Sequence, residues 1–326
     1  MSPHDDSITR VQPDALQQFA TDALRRAGLP EADADQIAGC LVQVDRRGIF
    51  THGTNLLNRY IPEYREGRIN PRPQVRIVRE TPVSAVLDGD GGGGYLTAVR
   101  AAEIVSSKAL DAGIAVVGTH RHGHIGSVGI YARMVVGRDL VYLGSASGAV
   151  WTPPEEPRAT VWDAMGAPPL CIGIPAAAGP PLIADVNTRM FSDRERLEEA
   201  MERFPEAVIR SMGFRFATTL LGGILGGSLP EGESRGAFSG AVRGSMMIAV
   251  RPDIVGNAAA FRSEVARIIQ SSRTLDPLPG LETAEVAGSL EWQRERAWAR
   301  DGIPISANHA RTLEKVATSL GMETPW

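Results

Sequence analysis

The 326-residue sequence contains only two cysteines and only two lysines. Cys40 and Cys171 lie far apart and belong to no CxxC pair, so the sequence predicts neither a disulfide framework nor a thiolate metal site. Apart from Lys108 and Lys315, the basic residues are arginines interleaved with acids, and the net charge is −4. Nucleic-acid binding requires a clustered positive field. We therefore expect no nucleic-acid partner.

The sequence also lacks a long hydrophobic run. Its most apolar stretch, 216–229, is shorter than the roughly 17 residues that a membrane-spanning helix needs. The first ten residues are polar and acidic, which is not typical of a signal peptide. The chain is 43% hydrophobic, which is enough to bury a core. We therefore expect a folded, cytoplasmic protein with no membrane partner.

Hydrophobic periodicity predicts helices at both ends of the chain and an α/β region between them. Apolar residues at helical spacing indicate three helices before Gly67 and two more after Arg251. Helical stretches are also expected at 192–211 and 214–225. Strands are predicted for the β-type runs SAVLDG, IAVVG, LVYLGSA, LCIGI, PLIAD and SMMIAV. We expect the two helical ends to fold together.

A glycine run, GDGGGG at 89–94, follows a predicted strand and precedes a predicted helix. This is the context of a dinucleotide fingerprint, in which backbone N–H groups approach a pyrophosphate. However, so many glycines satisfy the pattern almost by default, and no acidic residue ends a second strand at the expected distance. A flexible strand-to-helix turn is the preferred interpretation.

The segment HRHGHIG at 120–126 contains half of the six histidines. In an extended chain the three rings would project from one face and could hold zinc. Gly123 and Gly126 favour a bend, which would scatter the rings. Acid/base chemistry or substrate contact by one ring is therefore preferred, with zinc binding and polar loop packing as the alternatives.

Two further polar residues occupy positions where ligands often bind. His52 lies between two predicted helices, where a histidine is either functional or a cap or packing residue. Asp185 follows a predicted strand, and strand ends in α/β proteins gather ligands, although a turn aspartate is equally common there. No GxSxG, HExxH or Walker A motif is present, so hydrolase and NTPase functions have no support.

Taken in order, many segments resemble the type II malate/L-lactate dehydrogenase family, which includes sulfolactate and ureidoglycolate dehydrogenases and cyclic-imine reductases. The matching segments include DRRGIFTHG (45–53), REGRINPRP (65–73), VLDGDGGGGY (86–95), HIGSVGIYA (124–132) and MGFRFATTLLGGILGG (212–227). The resemblance runs in register over nearly all of the chain.

The resemblance implies an α/β fold that is not a Rossmann fold, with helical N- and C-terminal parts around a mixed-sheet middle domain. Residues 1–119 plus 252–326 would form a helical and mixed domain for dimerisation and substrate binding, and residues 120–251 an inserted cofactor-type α/β domain. Such proteins are typically homodimers. They transfer a hydride between NAD or NADP and a small 2-oxo acid, 2-hydroxy acid or cyclic imino acid.

The resemblance also implies roles for individual residues. His124 matches the family's acid/base histidine, His52 its substrate-contacting histidine, and Asp185 an aspartate beside them, so these three are the predicted catalytic residues. The predicted substrate-binding residues are His122, Arg59 and Arg121. The predicted cofactor-binding residues are Ser147, Gly166, Thr188 and Gly213. No metal is expected.

The chain departs from the family pattern at positions that bear on substrate and cofactor binding. Leu56 stands where many members have an arginine that can clamp a carboxylate, and Met212 aligns with a cofactor-facing lysine. The arginines that could compensate by binding phosphate are Arg189, Arg210, Arg215 and Arg243. A hydride-transferring oxidoreductase is the leading hypothesis. The alternatives are non-redox acid/base chemistry, as in a lyase, isomerase or cyclase, and a silent binding or scaffold subunit.

Overall fold

The computed structural model describes residues 8–147, 156, 159–164, 166–191, 193–226, 237–280 and 282–326. Their strands are β1 (Ile8–Val11), β2 (Arg76–Thr81), β3 (Ser84–Asp88), β4 (Ile114–His122), β5 (Val141–Ser147), β6 (Pro169–Ile174), β7 (Leu182–Asn187), β8 (Arg243–Val250) and β9 (Ile303–Ser306). Their α-helices are α1 (Pro13–Arg26), α2 (Glu31–Arg46), α3 (Leu57–Arg65), α4 (Gly94–Ala112), α5 (Gly129–Val136), α6 (Val161–Ala164), α7 (Arg194–Arg203), α8 (Pro205–Thr218), α9 (Ala258–Ser272), α10 (Ser289–Asp301) and α11 (Ala307–Leu320).

A mixed seven-stranded sheet organises the middle of the chain, in the order β2-β3-β4-β8-β5-β6-β7. Only β3 and β4 are parallel among these neighbours. Parallel strands need a crossover connection, and α4 provides it. The predicted domain boundary between residues 119 and 120 falls inside β4, so strands from both predicted domains share this sheet. The division into 1–119 plus 252–326 and 120–251 stays a prediction.

The two ends of the chain fold together, as the sequence predicts. β1 pairs antiparallel with β9, so that Val11 lies opposite Ile303. The apolar faces of α1, α2, α3 and α11 join one continuous core with α4 and the sheet. This arrangement explains the amphipathic periodicity of the terminal helices, because each helix buries one face against the others.

The glycine run lies where backbone and side chains of other segments come very close. A Cβ on Gly91 would lie 2.3 Å from the ring of Phe238, and one on Gly93 would lie 2.2 Å from the hydroxyl of Tyr64. A Cβ on Gly94 would lie 2.4 Å from the carbonyl oxygen of Gly123. These glycines therefore make room for neighbouring protein atoms, which agrees with the strand-to-helix turn and not with a phosphate loop.

The helices after β7 differ from the prediction. The sequence places a break between 211 and 214, but the observed break is at Phe204, because Pro205 occupies the first position of α8, where a missing N–H costs nothing. Gly213 lies inside α8, and a π-helical turn at Thr219–Leu225 continues it. α5, α6, α10, β1 and β9 were not predicted. No helix in the described ranges is both long and apolar enough to cross a membrane.

The packing predicts opposite effects for alanine at two helical glycines. Gly94→Ala should lower the free energy of unfolding by about 1–3 kcal/mol, because the added methyl group meets the backbone of Gly123 and His124. Gly213→Ala should raise it by about 0.5–1 kcal/mol, because no atom outside the helix lies within 4 Å and alanine is the better helix former. Urea denaturation measures both. A neutral Gly94→Ala variant would contradict the close approach.

Candidate functional site

His52 ends a short 3-10 turn, Phe50–His52, that follows α2. The ring of Phe50 stacks on Trp298 of α10, with ring centroids 6.0 Å apart, and meets the edge of His309 of α11 at 5.6 Å. The His52 ring is half-buried, and its Nδ1 lies 3.0 Å from the Thr51 hydroxyl. The position of His52 therefore depends on helices from the C-terminal part of the chain.

A buried carboxyl group fixes the backbone immediately after His52. Asp45 Oδ2 accepts hydrogen bonds from the Thr54 backbone N–H at 2.9 Å and from its hydroxyl at 2.6 Å. A Cβ on Gly53 would lie 1.8 Å from Asp45 Oδ1, so only glycine fits there. Burial raises the pKa of Asp45 to about 7. The Thr54 hydroxyl also lies 2.9 Å from His309 Nε2, which ties this turn to α11.

His124 lies in the loop between β4 and α5, facing the N-terminal helices. Its Nδ1 is 2.7 Å from the Tyr60 hydroxyl of α3, which is itself 3.2 Å from the Tyr95 hydroxyl. The His124 and His52 ring centroids are 5.8 Å apart. Burial holds the pKa of His124 well below its usual value of 6.5, and the nearby charge of Arg243 lowers it further. His124 is therefore neutral at neutral pH.

The three histidines of the 120–126 segment occupy different environments. His122 is completely buried; its Nδ1 donates to the Gly123 carbonyl at 2.8 Å, and its Nε2 accepts from the Thr119 hydroxyl at 2.8 Å. His120 is half-buried, and its pKa is lowered by burial while the charge of Asp88 partly offsets the effect. Only one ring of the segment, His124, lies close to His52. The backbone departs from a regular strand at Arg121, where φ is +54°, and at Gly126, where φ is +72°, so the rings do not share one face.

Asp185 lies on β7 and is held by the loop that carries His124. Its Oδ2 accepts hydrogen bonds from the Ser127 hydroxyl at 2.6 Å and from the Gly129 backbone N–H at 2.8 Å. Burial lowers the pKa of His52, and the negative charge of Asp185 partly restores it. The carboxylate of Asp185 therefore raises the pKa of His52. In contrast, every residue that acts electrostatically on His124 is an arginine or a histidine and lowers its pKa.

His52, His124 and Asp185 line one cavity of about 460 Å³. Its described lining also includes a group of mostly small residues, at Ala146, Ser147, Gly166–Pro169 and Gly244. His122 also lines this cavity, although its two ring nitrogens are already bonded. The three predicted catalytic residues thus share a space with two of the predicted cofactor-binding residues, Ser147 and Gly166.

The remaining predicted site residues lie outside the described lining of this cavity. Arg59 is exposed on α3 and pairs with Glu63 at 2.8 Å. Arg121 pairs with Asp88 at 2.6 Å. Thr188 is buried, and its hydroxyl donates to the Pro168 carbonyl at 2.6 Å, which supports the cavity wall from behind. Gly213 is exposed on α8.

Sequence reasoning missed Tyr60 and Ser127, which contact the predicted catalytic groups directly. Tyr60 is read from the sequence as one of the apolar residues of α3. Its place on the apolar face of the predicted helix is the signal that could have found it, because a tyrosine buried there needs a hydrogen-bond partner for its hydroxyl. Arg243 was one of four candidate phosphate ligands, and it is the one of the four that lines the cavity.

The fold and the cavity define an α/β protein in which a buried histidine, His124, lines a cavity together with His52 and Asp185. A family model described as malate/L-lactate dehydrogenase matches residues 11–209. The chain belongs to this family.

Individual relatives agree with this assignment. An L-sulfolactate dehydrogenase from Methanocaldococcus jannaschii is 25% identical over 342 residues, covering 96% of this chain and 97% of that protein. A malate dehydrogenase from Pyrococcus abyssi is 32% identical over 184 residues, covering 56% of this chain and 50% of that protein. The solved structure of malate dehydrogenase from Pyrococcus horikoshii superposes with a TM-score of 0.83 at 22% identity, covering 99% of each chain. The predicted family, the α/β fold class and an enzyme of the dehydrogenase class are confirmed.

The environment of His122 predicts how acid affects stability. Burial lowers its pKa to about 4 in the folded protein, from 6.5. Between these values the unfolded chain binds a proton at His122 and the folded chain does not, so the free energy of unfolding should fall as the pH falls, by up to about 1.4 kcal/mol per pH unit. His122→Asn should therefore lose less stability across this window. Urea denaturation at several pH values measures the slopes, and equal slopes would contradict a neutral buried His122.

Proposed function

We propose that the protein transfers a hydride between NAD or NADP and a small 2-oxo acid, 2-hydroxy acid or cyclic imino acid, with His124 as the acid/base group. One observation carries this proposal: a neutral imidazole, bonded to Tyr60, faces a cavity that it shares with His52 and Asp185. Membership of a dehydrogenase family and the similarity to sulfolactate and malate dehydrogenases support the reaction type.

The cavity suits a nicotinamide ring in size and in lining. Its volume of about 460 Å³ lies within the range of roughly 300–1,000 Å³ that is typical of ligand pockets. Its described lining includes the small residues Ala146, Ser147, Gly166 and Gly244, which leave room for a planar ring. Ser147 and the backbone near Gly166 would hold the ring. When bound, nicotinamide supplies or accepts the hydride.

The residues of the chain would then handle the proton. Burial raises the pKa of Tyr60 far above 10, so its hydroxyl always carries a proton. When His124 Nδ1–H donates to the Tyr60 oxygen, Nε2 is free to accept the proton of a substrate hydroxyl as the hydride leaves. In the direction of reduction the ring would first take up a proton from solvent, and the imidazolium would donate that proton from Nε2 to the substrate oxygen or nitrogen while Nδ1–H stays bonded to Tyr60. The Tyr60 hydrogen bond thus serves both directions of the reaction.

His52 and Asp185 would orient the substrate beside His124. Burial lowers the pKa of His52 and the charge of Asp185 offsets this only in part, so the neutral ring would donate one N–H to a substrate oxygen. Asp185 itself is held by Ser127 and by the backbone at Gly129. This arrangement would orient substrate relative to the acid/base group, and orientation is a major part of the rate enhancement of enzymes.

Non-redox acid/base chemistry is the second candidate, and one observation favours it. Arg243 is the sole arginine or lysine in the described lining of the cavity. Arg189 lies over the Trp162 ring at 4.2 Å, and Arg215 donates to the Gly166 carbonyl at 2.8 Å, so both are engaged elsewhere. A cofactor phosphate would find few cations here. The homodimer, the cytoplasmic location and the choice between NAD and NADP stay predictions.

Cofactor binding separates the two candidates. We expect saturable binding when NADH or NADPH is titrated into the protein and reduced-nicotinamide fluorescence is followed. His124→Asn should keep this binding within about threefold, yet lower turnover of a panel of 2-oxo and cyclic imino acids by about 100- to 10,000-fold, the usual contribution of an acid/base group.

His120→Asn is the matched control, because it changes a half-buried histidine of the same segment that lies outside the described lining of the cavity. It should retain nearly full turnover. A flat titration with both cofactors would reject hydride transfer in favour of the non-redox enzyme. Equal loss of turnover in the two variants would remove the acid/base role from His124.

A further inference from the structure

Arg243 has no ion-pair partner among the residues that the structure describes. It begins β8, directly opposite His122 of β4 in the strand register, and it lines the cavity with His52 and His124. Burial lowers the pKa of its guanidinium, as does the charge of Arg59. Among the described residues, no side chain forms an ion pair or hydrogen bond with this guanidinium.

The carboxylate that acts on Arg243 is already committed to another residue. Glu63 of α3 contributes a favourable charge, but it pairs with Arg59 at 2.8 Å. Asp185, the carboxylate of the cavity, accepts its bonds from Ser127 and Gly129. Burying a cation without a partner is costly, and this cost is recovered when an anion binds. The cavity therefore presents a positive charge that is available to a ligand.

The position of this charge places the anion at the reacting end of the cavity. The Arg243 charge lowers the pKa of both His122 and His124, and it stabilises the ionised form of Tyr60. In the geometry, Arg243 lies opposite His122 in the β4–β8 register and lines the same cavity as His124, which places its charge near His124. A ligand held there by one end has its next atoms within reach of the acid/base group.

We infer that Arg243 binds the carboxylate of the substrate, and that it supplies from strand β8 the anion clamp that Leu56 cannot supply from the start of α3. The inference rests on the proposed function and specifies its substrate class as an α-carboxylate anion. A guanidinium can bind a carboxylate with two parallel hydrogen bonds. A carboxylate anchored in this way leaves the adjacent carbon, which carries the oxygen or nitrogen, facing His124 and His52.

Binding of oxalate tests this assignment, because oxalate carries the carboxylate of a 2-oxo acid and cannot react. Isothermal titration calorimetry with the full chain, with and without NADH, should show binding to the wild type. Arg243→Gln should weaken it by about 10- to 100-fold, as expected when a charged hydrogen-bonding partner is lost. Arg243→Lys should lie between the two, since it keeps the charge and loses the fork.

Two control variants make the result specific. Arg251→Gln changes the arginine that directly follows β8 at its other end, which lies outside the described lining of the cavity and pairs with Asp253 at 2.6 Å, and this variant should bind oxalate like the wild type. Arg210→Gln changes another of the candidate phosphate ligands, which is exposed on α8 outside the described lining of the cavity, and it should change oxalate affinity by less than about threefold. Thermal melting should show that each variant is folded.

The inference would be overturned if the wild type did not bind oxalate under either condition. It would also be overturned if Arg243→Gln kept its oxalate binding, either with NADH binding unchanged or with NADH binding lost. The last result would assign Arg243 to a cofactor phosphate. Oxalate binding that depends on Arg243, combined with flat cofactor titrations, would keep the anion site and reject the hydride transfer. The two proposals can therefore fail separately.

Discussion

The hydrogen bond between the Tyr60 hydroxyl and His124 Nδ1 is the contact on which the site depends. It joins α3, from the N-terminal helices, to the loop that follows β4. Because both groups are buried, neither ionises at neutral pH, and the bond defines which ring nitrogen of His124 is left for a substrate. The glycine run supports this contact, since the absence of a side chain at Gly94 lets the His124 backbone approach.

The second half of the site is held by residues distant in sequence. His52 takes its position from the Asp45–Thr54 hydrogen bonds, from His309 and from the stacking of Phe50 on Trp298. The pairing of β1 with β9 brings the two ends of the chain together and so makes these contacts available. The site therefore needs both ends of the chain, although its histidines lie in the first half.

The sequence predicted the strands of the sheet and most helices, because alternation and helical spacing report local burial. It failed at the break before α8, where the residue that decided the boundary was Pro205 and not Gly213. It predicted that His52 and His124 share a pocket, and the structure brings them together. It could not tell which of Arg59, Arg121 and Arg243 is available to bind a ligand, because this depends on whether a carboxylate lies nearby in the fold. Glu63 pairs with Arg59, and Asp88 pairs with Arg121.

The central claim is that His124 stays neutral in the free protein. A ¹⁵N NMR titration of the histidine rings, with the His124 signal assigned by comparison with the His124→Asn variant, measures this directly. The account predicts that the ring remains neutral as the pH falls through 6.5 and gains its proton only well below that value, because burial and the charge of Arg243 oppose protonation. Protonation at or above pH 6.5 would contradict it, since the ring would then be solvated or paired with a carboxylate.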